Sequence, residues 1–297
     1  MGLERTGEGS KSSRLGIQVQ LGYSFFEPQD AKERIILEPT VGKYLSNDQI
    51  RRAKKELTLL FALPFAKDLF GTAWEQILAD VKGGIWTGKR DNRPNPDLYV
   101  DSPTGKINYS VKCEGLKTNG VRPNAKAFLG HKMDFIIARP KADELLERGQ
   151  TISKLDATRL GSLVLEYYNE QIVKKYQWHV LSFMVPVDTD EFIYWEEAPP
   201  KVYNPKDYWW KDTGKATGSN RNIAGYPKAV SRRTRPLPPS SFRWTSGGKQ
   251  FYAVYEIPTQ SDVFKIERVQ LTREELWAAI EDKIAQKKRI AGQPTAT

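Results

Sequence analysis

The chain has 297 residues, of which 39% are hydrophobic and 28% charged, and a formal net charge of +10. This composition is typical of a globular protein with room for one large domain or two. A single cysteine, Cys113, excludes an internal disulfide and a cysteine-rich zinc site, and only two histidines, His131 and His179, exclude a multi-histidine metal centre. The longest apolar run contains Pro64 and falls short of the roughly 18 residues that a membrane span needs. We therefore expect a cytoplasmic protein without a membrane partner.

Two helices are predicted in the first part of the chain. Residues 1–15 are polar and rich in Gly and Ser, which favours a flexible tail over a targeting segment. A capping-box pattern at 46–49 predicts a helix that runs toward Phe65. A second capping box at 72–75 predicts a helix through about Val81.

A hairpin is predicted next. Residues 97–101 have the pattern of a short strand, 102–106 contain Pro and Gly at turn positions, and the second strand runs to Glu114. Because side chains alternate along a strand, Ser110, Lys112 and Glu114 share one face of it. A lysine beside carboxylates is typical of metal-assisted attack on a phosphodiester, since carboxylates bind a hard cation and the lysine orients water.

The remaining predicted elements alternate between strands and helices. They are a strand at 134–138, an amphipathic helix at 160–176, strands at 178–187 and 191–195, a hairpin at 242–257 and a final helix at 272–288. The order of these elements predicts an α/β fold with a mixed central β-sheet flanked by helices. That order is helix, hairpin, strand, helix and strand.

Positive charge is concentrated in one part of the chain. From Lys201 to Gln250 there are 11 Lys and Arg residues against 2 acids, a local net charge of +9. Between 199 and 239 periodicity is lost, and basic residues alternate with Asn and with aromatic residues such as Trp209 and Trp210. This mixture suits phosphate clamps, base-edge contacts and base stacking, although a solvated charged face is the simpler interpretation. The predicted DNA contacts are Asn220, Arg221, Asn222, Lys228, Arg232, Arg233 and Arg235.

Three features follow one another along the chain: a predicted helix with Glu75, the pair Pro96-Asp97, and a predicted strand with Ser110-Val111-Lys112. In this order they resemble the PD-(D/E)XK nuclease superfamily, which includes many type II restriction endonucleases. The resemblance covers roughly residues 56–195 and implies a restriction-endonuclease-like core. It further implies that Asp97 binds Mg²⁺, that Lys112 serves the nucleophilic water, and that Glu75 is an auxiliary metal ligand.

Ser110 departs from this pattern, because an Asp or Glu is most common at its position. Some restriction enzymes resemble this variant and recruit an acid from elsewhere. Glu114 is the predicted substitute, since it lies on the Lys112 face at about 6.6 Å along the strand. Glu166 and Glu170, on a later helix, are the alternatives.

Each candidate also has a structural interpretation. Glu75 is the third residue after Thr72 in a capping box, Asp97 is placed to accept a turn hydrogen bond, and Lys112 is placed to face solvent from a strand. Cys113 is expected to be a small buried apolar residue, and both histidines are expected to be structural or to contact substrate.

The resemblance implies a Mg²⁺-dependent, sequence-specific endonuclease that cuts double-stranded DNA to 5′-phosphate and 3′-hydroxyl ends. It implies a homodimer, because symmetric cutting of a duplex favours two-fold symmetry, and a cognate DNA methyltransferase. The expected domains are a tail at 1–15, a nuclease core at 16–198, a DNA-recognition region rich in loops and hairpins at 199–262, and a C-terminal strand and helix packed on the core at 263–297. The alternatives are a structure-specific or transposon-associated nuclease of the same fold, or a non-catalytic nucleic-acid-binding protein.

Overall fold

A computed structural model describes residues 45–63, 69, 71–88, 96–116, 124–146, 151–174, 177–187, 190–214, 221–247 and 249–291, with side chains left out at 171–172 and 286–291. The chain divides into two compact units, Met1–Ile36 and Leu37–Thr297, and every described residue belongs to the second. The tail predicted at 1–15 therefore lies outside the described residues.

The described α-helices are α1 (Asn47–Ala62), α2 (Gly71–Lys82), α3 (Ala142–Leu145), α4 (Ala157–Tyr167) and α5 (Arg273–Ala291). Side chains cap several of their first turns. The capping box predicted at 46–49 is confirmed, whereas Thr72 of the box predicted at 72–75 lies inside α2, which begins at Gly71. The Ser46 hydroxyl accepts a hydrogen bond from the Gln49 amide in a capping box, and the Asp156 carboxylate caps α4. Thr272 and Glu275 form the same reciprocal pair at α5. A π-helix, Tyr168–Lys174, continues α4.

The structure describes eleven strands, which form two sheets: β1 (Ile85–Trp86), β2 (Leu98–Ser102), β3 (Gly105–Cys113), β4 (Lys132–Ala138), β5 (Val180–Val187), β6 (Glu191–Glu197), β7 (Tyr208–Asp212), β8 (Asn222–Pro227), β9 (Phe242–Thr245), β10 (Gln250–Glu256) and β11 (Asp262–Lys265). The first sheet has the order β1-β2-β3-β5-β6-β11, and the second β4-β10-β9-β8-β7. Pairing is antiparallel throughout these named strands except between β3 and β5. The sheet containing β3 is therefore mixed.

Apolar side chains cover both faces of the first sheet. On one face, α1 and α2 pack through residues such as Phe61 and Trp74. On the other face, the inward side chains of the second sheet and of α4 meet β5 and β6, with Phe183 stacked on Trp195 at a centroid distance of 4.7 Å. The candidate residues of β3 thus sit in a sheet held between two apolar layers.

The predicted mixed α/β class is confirmed, with two sheets where the sequence predicts one central sheet. Strands β7 and β8 lie in the stretch 199–239, where periodicity is lost. Gly225 and Pro227 of β8 resemble loop residues, but the Trp210 indole lies over Gly225, where an added Cβ would come within 2.9 Å of its ring. Because β7–β10 share a sheet with β4, the predicted recognition region and core are joined by strand pairing.

The C-terminal segment pairs through β11 with β6. Along α5, the described side chains from Arg273 to Ala285 are exposed apart from half-buried Leu276 and Ala285. In the described part of the chain, no helix is long and apolar enough to cross a membrane.

Candidate active site and basic loop

Asp97 lies immediately before β2 and is turned toward β3. Its backbone amide donates to the Tyr109 carbonyl at 2.9 Å, which begins the pairing of the hairpin. Its carboxylate Oδ2 accepts from the Val111 amide at 2.6 Å and from the Ser110 hydroxyl at 3.3 Å. Oδ1 accepts no hydrogen bond from any described residue. Asp97 therefore crosses between strands and does not cap a turn.

The Lys112 ammonium continues this hydrogen-bonded chain. Nζ donates to the Ser110 hydroxyl at 2.8 Å and lies 5.0 Å from the centroid of the Trp178 ring. Ser110 is fully buried and Lys112 half-buried. Lys112 thus points into the protein and is not the solvent-facing strand residue of the simpler interpretation.

Burial lowers the pKa of Lys112. The carboxylates of Asp97 and Glu75 oppose that effect, and the guanidinium of Arg139 adds to it. The loss of hydration on burial lowers the pKa of Lys112 by more than the attraction of the two carboxylates raises it, so the pKa lies below its ordinary value. A lysine in this state gives up its proton more readily than a free one.

Glu75 lies on α2. Its Oε2 accepts from the Trp86 indole at 3.2 Å, and its charge acts on Lys112 as well as on the Cys113 thiol. Lys82, at the end of the same helix, forms a buried ion pair with Glu196 of β6 at 2.6 Å. This ion pair holds the end of α2 against β6.

Cys113 packs against the apolar cluster beneath α1 and α2. Burial, together with the charges of Glu114 and Glu75, raises its pKa to about 12. The thiol therefore stays protonated near neutral pH and is not a nucleophile.

Glu114 has different neighbours from those that the sequence predicts. It is exposed one residue beyond β3, and burial together with the charge of Asp134 raises its pKa. Asp134 in turn forms an ion pair with Arg243. The acid whose charge acts on Lys112 besides Asp97 is Glu75, so the structure associates Glu114 with Asp134 and Glu75 with the lysine.

The two alternative acids lie on the α4 side of the protein. Glu166 is exposed, and the Glu170 carboxylate forms an exposed ion pair with Lys174 at 2.5 Å. Neither is among the charges that act most strongly on Lys112, which are those of Asp97, Glu75 and Arg139.

Among the described residues, no three His, Cys, Asp or Glu side chains form a group that could hold a metal ion. A complete protein cage is not what Mg²⁺ requires, because it keeps several waters and commonly binds through one or two carboxylates plus substrate phosphates. Asp97, with one oxygen outside the hydrogen-bonded chain, and Glu75 supply a donor set of that incomplete kind. These two carboxylates therefore fit the ligand chemistry of Mg²⁺.

Both histidines have structural contacts. His179 Nδ1 accepts from the Asn108 amide at 3.0 Å, and the His179 amide donates to the Asn108 carbonyl at 2.9 Å, which extends the pairing beside β3. The His131 ring lies edge-on to Phe128 at 6.0 Å.

The aromatic residues of the basic stretch form the core and are not available to stack on bases. Those on the inward side of the second sheet include Trp210, Phe242 and Trp244, each at most 3% exposed. Trp209 and Tyr226 stack on each other on the outward side, at 6% exposure each, in a cluster with Val230 and Leu237. The prediction that these aromatic rings stack on bases is therefore wrong.

Arg221 is held by internal contacts. Its guanidinium forms an ion pair with Asp212 at 2.6 Å and donates to the carbonyls of Ile152 and Leu155. Burial and these acceptors leave its side chain 11% exposed. It links β8 to the segment before α4, and this structural role is not apparent from the sequence.

Four exposed basic residues lie in the connection from β8 to β9, residues 228–241, which we call the basic loop. The Arg232 guanidinium lies 5.4 Å from the centroid of Trp209, and Arg235 donates to the Thr234 carbonyl at 2.6 Å. Lys228 and Arg233 are exposed on the same loop, and Asn222 is exposed at the start of β8. Asn220 lies outside the described residues.

Sequence reasoning missed Trp86, Trp178 and Arg139, all of which act on the candidate acid or lysine. Trp178 reaches Lys112 because β5 runs parallel to β3 and follows a long connection. No periodic pattern in the sequence indicates that pairing, so the aromatic neighbour of the lysine had no local signal.

No protein-family model, no curated protein and no solved structure matches the chain.

Proposed function

We propose that this protein is a Mg²⁺-dependent endonuclease of the PD-(D/E)XK type that hydrolyses phosphodiester bonds in double-stranded DNA. The observation that carries the proposal is the chain of hydrogen bonds from Lys112 through Ser110 to Asp97, with the Glu75 charge acting on the same lysine. A half-buried lysine beside two acids from different elements is costly to maintain unless it has a use.

Each residue has a role that follows from its contacts. Asp97 and Glu75 would hold the metal, which when bound supplies Lewis-acid stabilisation of the phosphate and a more acidic water. Lys112, fixed by Ser110 and the Trp178 ring, orients the attacking water and takes up its proton. Ser110 replaces the usual acid with a neutral hydroxyl that holds the lysine and Asp97 in place.

Glu75 is our first choice for the second acid, because its charge acts on Lys112. Glu114 remains the second candidate, since it lies beside the end of the strand that carries the lysine. The two acids differ in position, on α2 and after β3, so substitutions separate them.

The partner would be double-stranded DNA, bound in part by the basic loop. Arg232, Arg233 and Arg235 are exposed and have no carboxylate partner within the described residues, so they are available for phosphate or base contacts. Sequence-specific cutting to 5′-phosphate and 3′-hydroxyl ends, a cytoplasmic location, a homodimer and a cognate methyltransferase complete the proposal.

The deciding experiment is digestion of a long DNA of known sequence by the purified full chain with Mg²⁺, with the cut ends mapped. We expect discrete fragments that require the metal. Asp97→Asn and Lys112→Ala should each lower the cleavage rate at least 100-fold while leaving the thermal unfolding midpoint near that of the wild type. Matched controls are Asp101→Asn and Lys106→Ala, exposed residues of the same hairpin, which should cut normally.

Other outcomes select the alternatives. Cutting confined to branched or damaged DNA favours a structure-specific nuclease of the same fold. If the wild type binds DNA but cuts neither DNA nor RNA with Mg²⁺ or Mn²⁺, the protein is a non-catalytic nucleic-acid-binding protein.

A further inference from the structure

The C-terminal helix α5 presents large apolar side chains to solvent. Trp277 is 63% exposed, Ile280 39% and Ile284 49%. Their spacing of three and then four residues places them on one side of the helix, in the pattern of a coiled-coil seam. Monomeric proteins rarely keep several such side chains exposed together, because their burial is worth about 1.5–3 kcal/mol each.

The helix is nevertheless well defined where it begins. Thr272 and Glu275 form the reciprocal capping pair, and the Leu271 amide donates to the Ala62 carbonyl at the end of α1 at 3.1 Å. An α-helix with few tertiary contacts is only marginally stable in water. A capped and anchored helix with an exposed apolar side therefore implies an additional packing partner.

The charge along α5 changes sign from one half to the other. Residues 273–282 contain four acids and one basic residue, and residues 283–291 contain four basic residues and no acid. Two copies packed antiparallel place each acidic half beside the basic half of the other. Two parallel copies would place like charges together, which is unfavourable.

A second copy of the same helix therefore matches both properties of α5, its apolar seam and its charge gradient. A two-fold axis across the middle of the helix makes the surface complementary to itself, as an isologous interface requires. Any other partner would need an independent match to the seam and to both charged halves.

We propose that the Trp277–Ile280–Ile284 seam joins two copies of this chain through antiparallel packing of α5. This inference does not depend on the proposed nuclease function, since it uses only the exposure and charge of the helix.

The test is the mass of the full chain in solution, measured by sedimentation equilibrium over a range of concentrations. We expect twice the chain mass of 33.9 kDa for the wild type. Ile280→Asp should raise the dissociation constant at least 100-fold, because it places a charge in the seam. Val202→Asp, at a 55% exposed position elsewhere, is the matched control and should remain dimeric. Circular dichroism shows whether each variant is folded.

Charge reversal tests the antiparallel arrangement. Glu274→Lys should weaken the dimer at low salt, and adding Lys288→Glu to the same chain should restore it, because positions 274 and 288 lie two heptads apart on the same flank of the seam and antiparallel packing about the middle of α5 brings them together. No restoration would overturn the antiparallel arrangement.

Two results would overturn the seam itself. One is a wild type that stays monomeric at all concentrations. The other is a dimer that persists unchanged in Ile280→Asp, since the copies would then meet through another surface.

Discussion

Ser110 has one hydroxyl proton and two lone pairs, and the hydrogen bonds around it use both functions. The hydroxyl donates to Asp97 Oδ2 and accepts from Lys112 Nζ. An acid at this buried position would place a second negative charge beside Asp97 and would hold the lysine in its charged form. The neutral hydroxyl holds Lys112 and Asp97 in place through hydrogen bonds without adding a charge. Burial therefore stays the largest influence on the pKa of Lys112.

Replacing this hydroxyl should therefore impair the site more than the fold. We expect Ser110→Ala to lower the cleavage rate at least tenfold, because the buried ends of Lys112 and Asp97 lose their shared partner, at a cost of about 1–3 kcal/mol. Ser182→Ala is the control, since Ser182 is also fully buried and lies on the neighbouring strand opposite Val111. Cleavage assays and thermal unfolding of both variants give the answer. Equal losses of rate would mean that Ser110 acts only through packing.

The identity of the second acid is decided by a paired substitution. Glu75→Gln should reduce cleavage at least 100-fold and raise the Mg²⁺ concentration needed for half-maximal rate, because a neutral amide is a weaker ligand for a hard cation. Glu114→Gln should have less than a threefold effect, because Glu114 is exposed and the charge that acts on it is that of Asp134, not that of Lys112. The reverse order of effects would return the role to Glu114.

The Arg221 side chain, just before β8, binds both Asp212 at the end of β7 and the backbone of the segment before α4. Its hydrogen bonds to Asp212 hold the pKa of that carboxyl below its ordinary value, against the opposite effect of burial. Because the pKa is lower in the folded state, the pair stabilises the fold above the unfolded pKa of Asp212, and that contribution is lost as the pH falls through the folded pKa.

Asp212→Asn should therefore lower the free energy of unfolding at pH 7 and have no effect at strongly acidic pH. Because the Asp212 side chain is 47% exposed, we expect at most about 1 kcal/mol at neutral pH. Urea unfolding at both pH values measures the difference. Asp101→Asn, an exposed carboxylate on β2, is the control. A difference that persists at acidic pH would contradict the role of the carboxylate charge.

Helices and hairpins with local signals could be predicted from the sequence, and elements that depend on distant contacts could not. The capping pairs at Ser46 and Thr272, and the turn before β3, lie within a few residues of the structures they define. Strand β8 contains Gly225 because the Trp210 ring occupies the space of a side chain there. Such a contact comes from another strand, so the sequence around Gly225 looked like a loop.

The candidate site was only partly predictable for the same reason. Alternation along β3 correctly placed Ser110 and Lys112 on one face, and Asp97 lies next to them across the hairpin. The positions of Glu75 and Trp178 depend on how α2 and β5 pack on that strand. Alternation along the strand therefore predicts Glu114 as the second acid. The acid besides Asp97 whose charge acts on Lys112 is instead Glu75, whose position depends on the packing of α2.

Three exposed arginines lie on the basic loop of the second sheet, and the candidate catalytic groups lie on the first sheet and on α2. If both meet the same duplex, the loop contributes phosphate contacts and therefore part of the salt dependence of binding. The stacked Trp209 and Tyr226 rings of the second sheet pack with Val230 and Leu237 of the loop, so the loop has a rigid base.

Substituting Arg232, Arg233 and Arg235 with Ala should weaken DNA binding and reduce the slope of log affinity against log salt by about 0.9 for each lost phosphate contact. Fluorescence anisotropy of a labelled duplex in Ca²⁺ at several salt concentrations measures it. A variant with Lys55, Lys106 and Lys265 replaced by Ala carries the same change in net charge on other exposed positions. If both variants lose the same slope, the effect comes from net charge and the loop has no special role.

The parallel pairing of β3 with β5 also determines when the lysine acquires its surroundings during synthesis. Tyr109 pairs with Val180, and Trp178 lies just before that strand. A nascent chain that ends before Trp178 already contains Asp97, Ser110 and Lys112, but the lysine has no ring beside it and no neighbouring β5. Contacts between residues so far apart in sequence form late, because a long loop must close first. A cell that makes this protein is thus exposed to its proposed cutting activity only after the chain has passed the crossover.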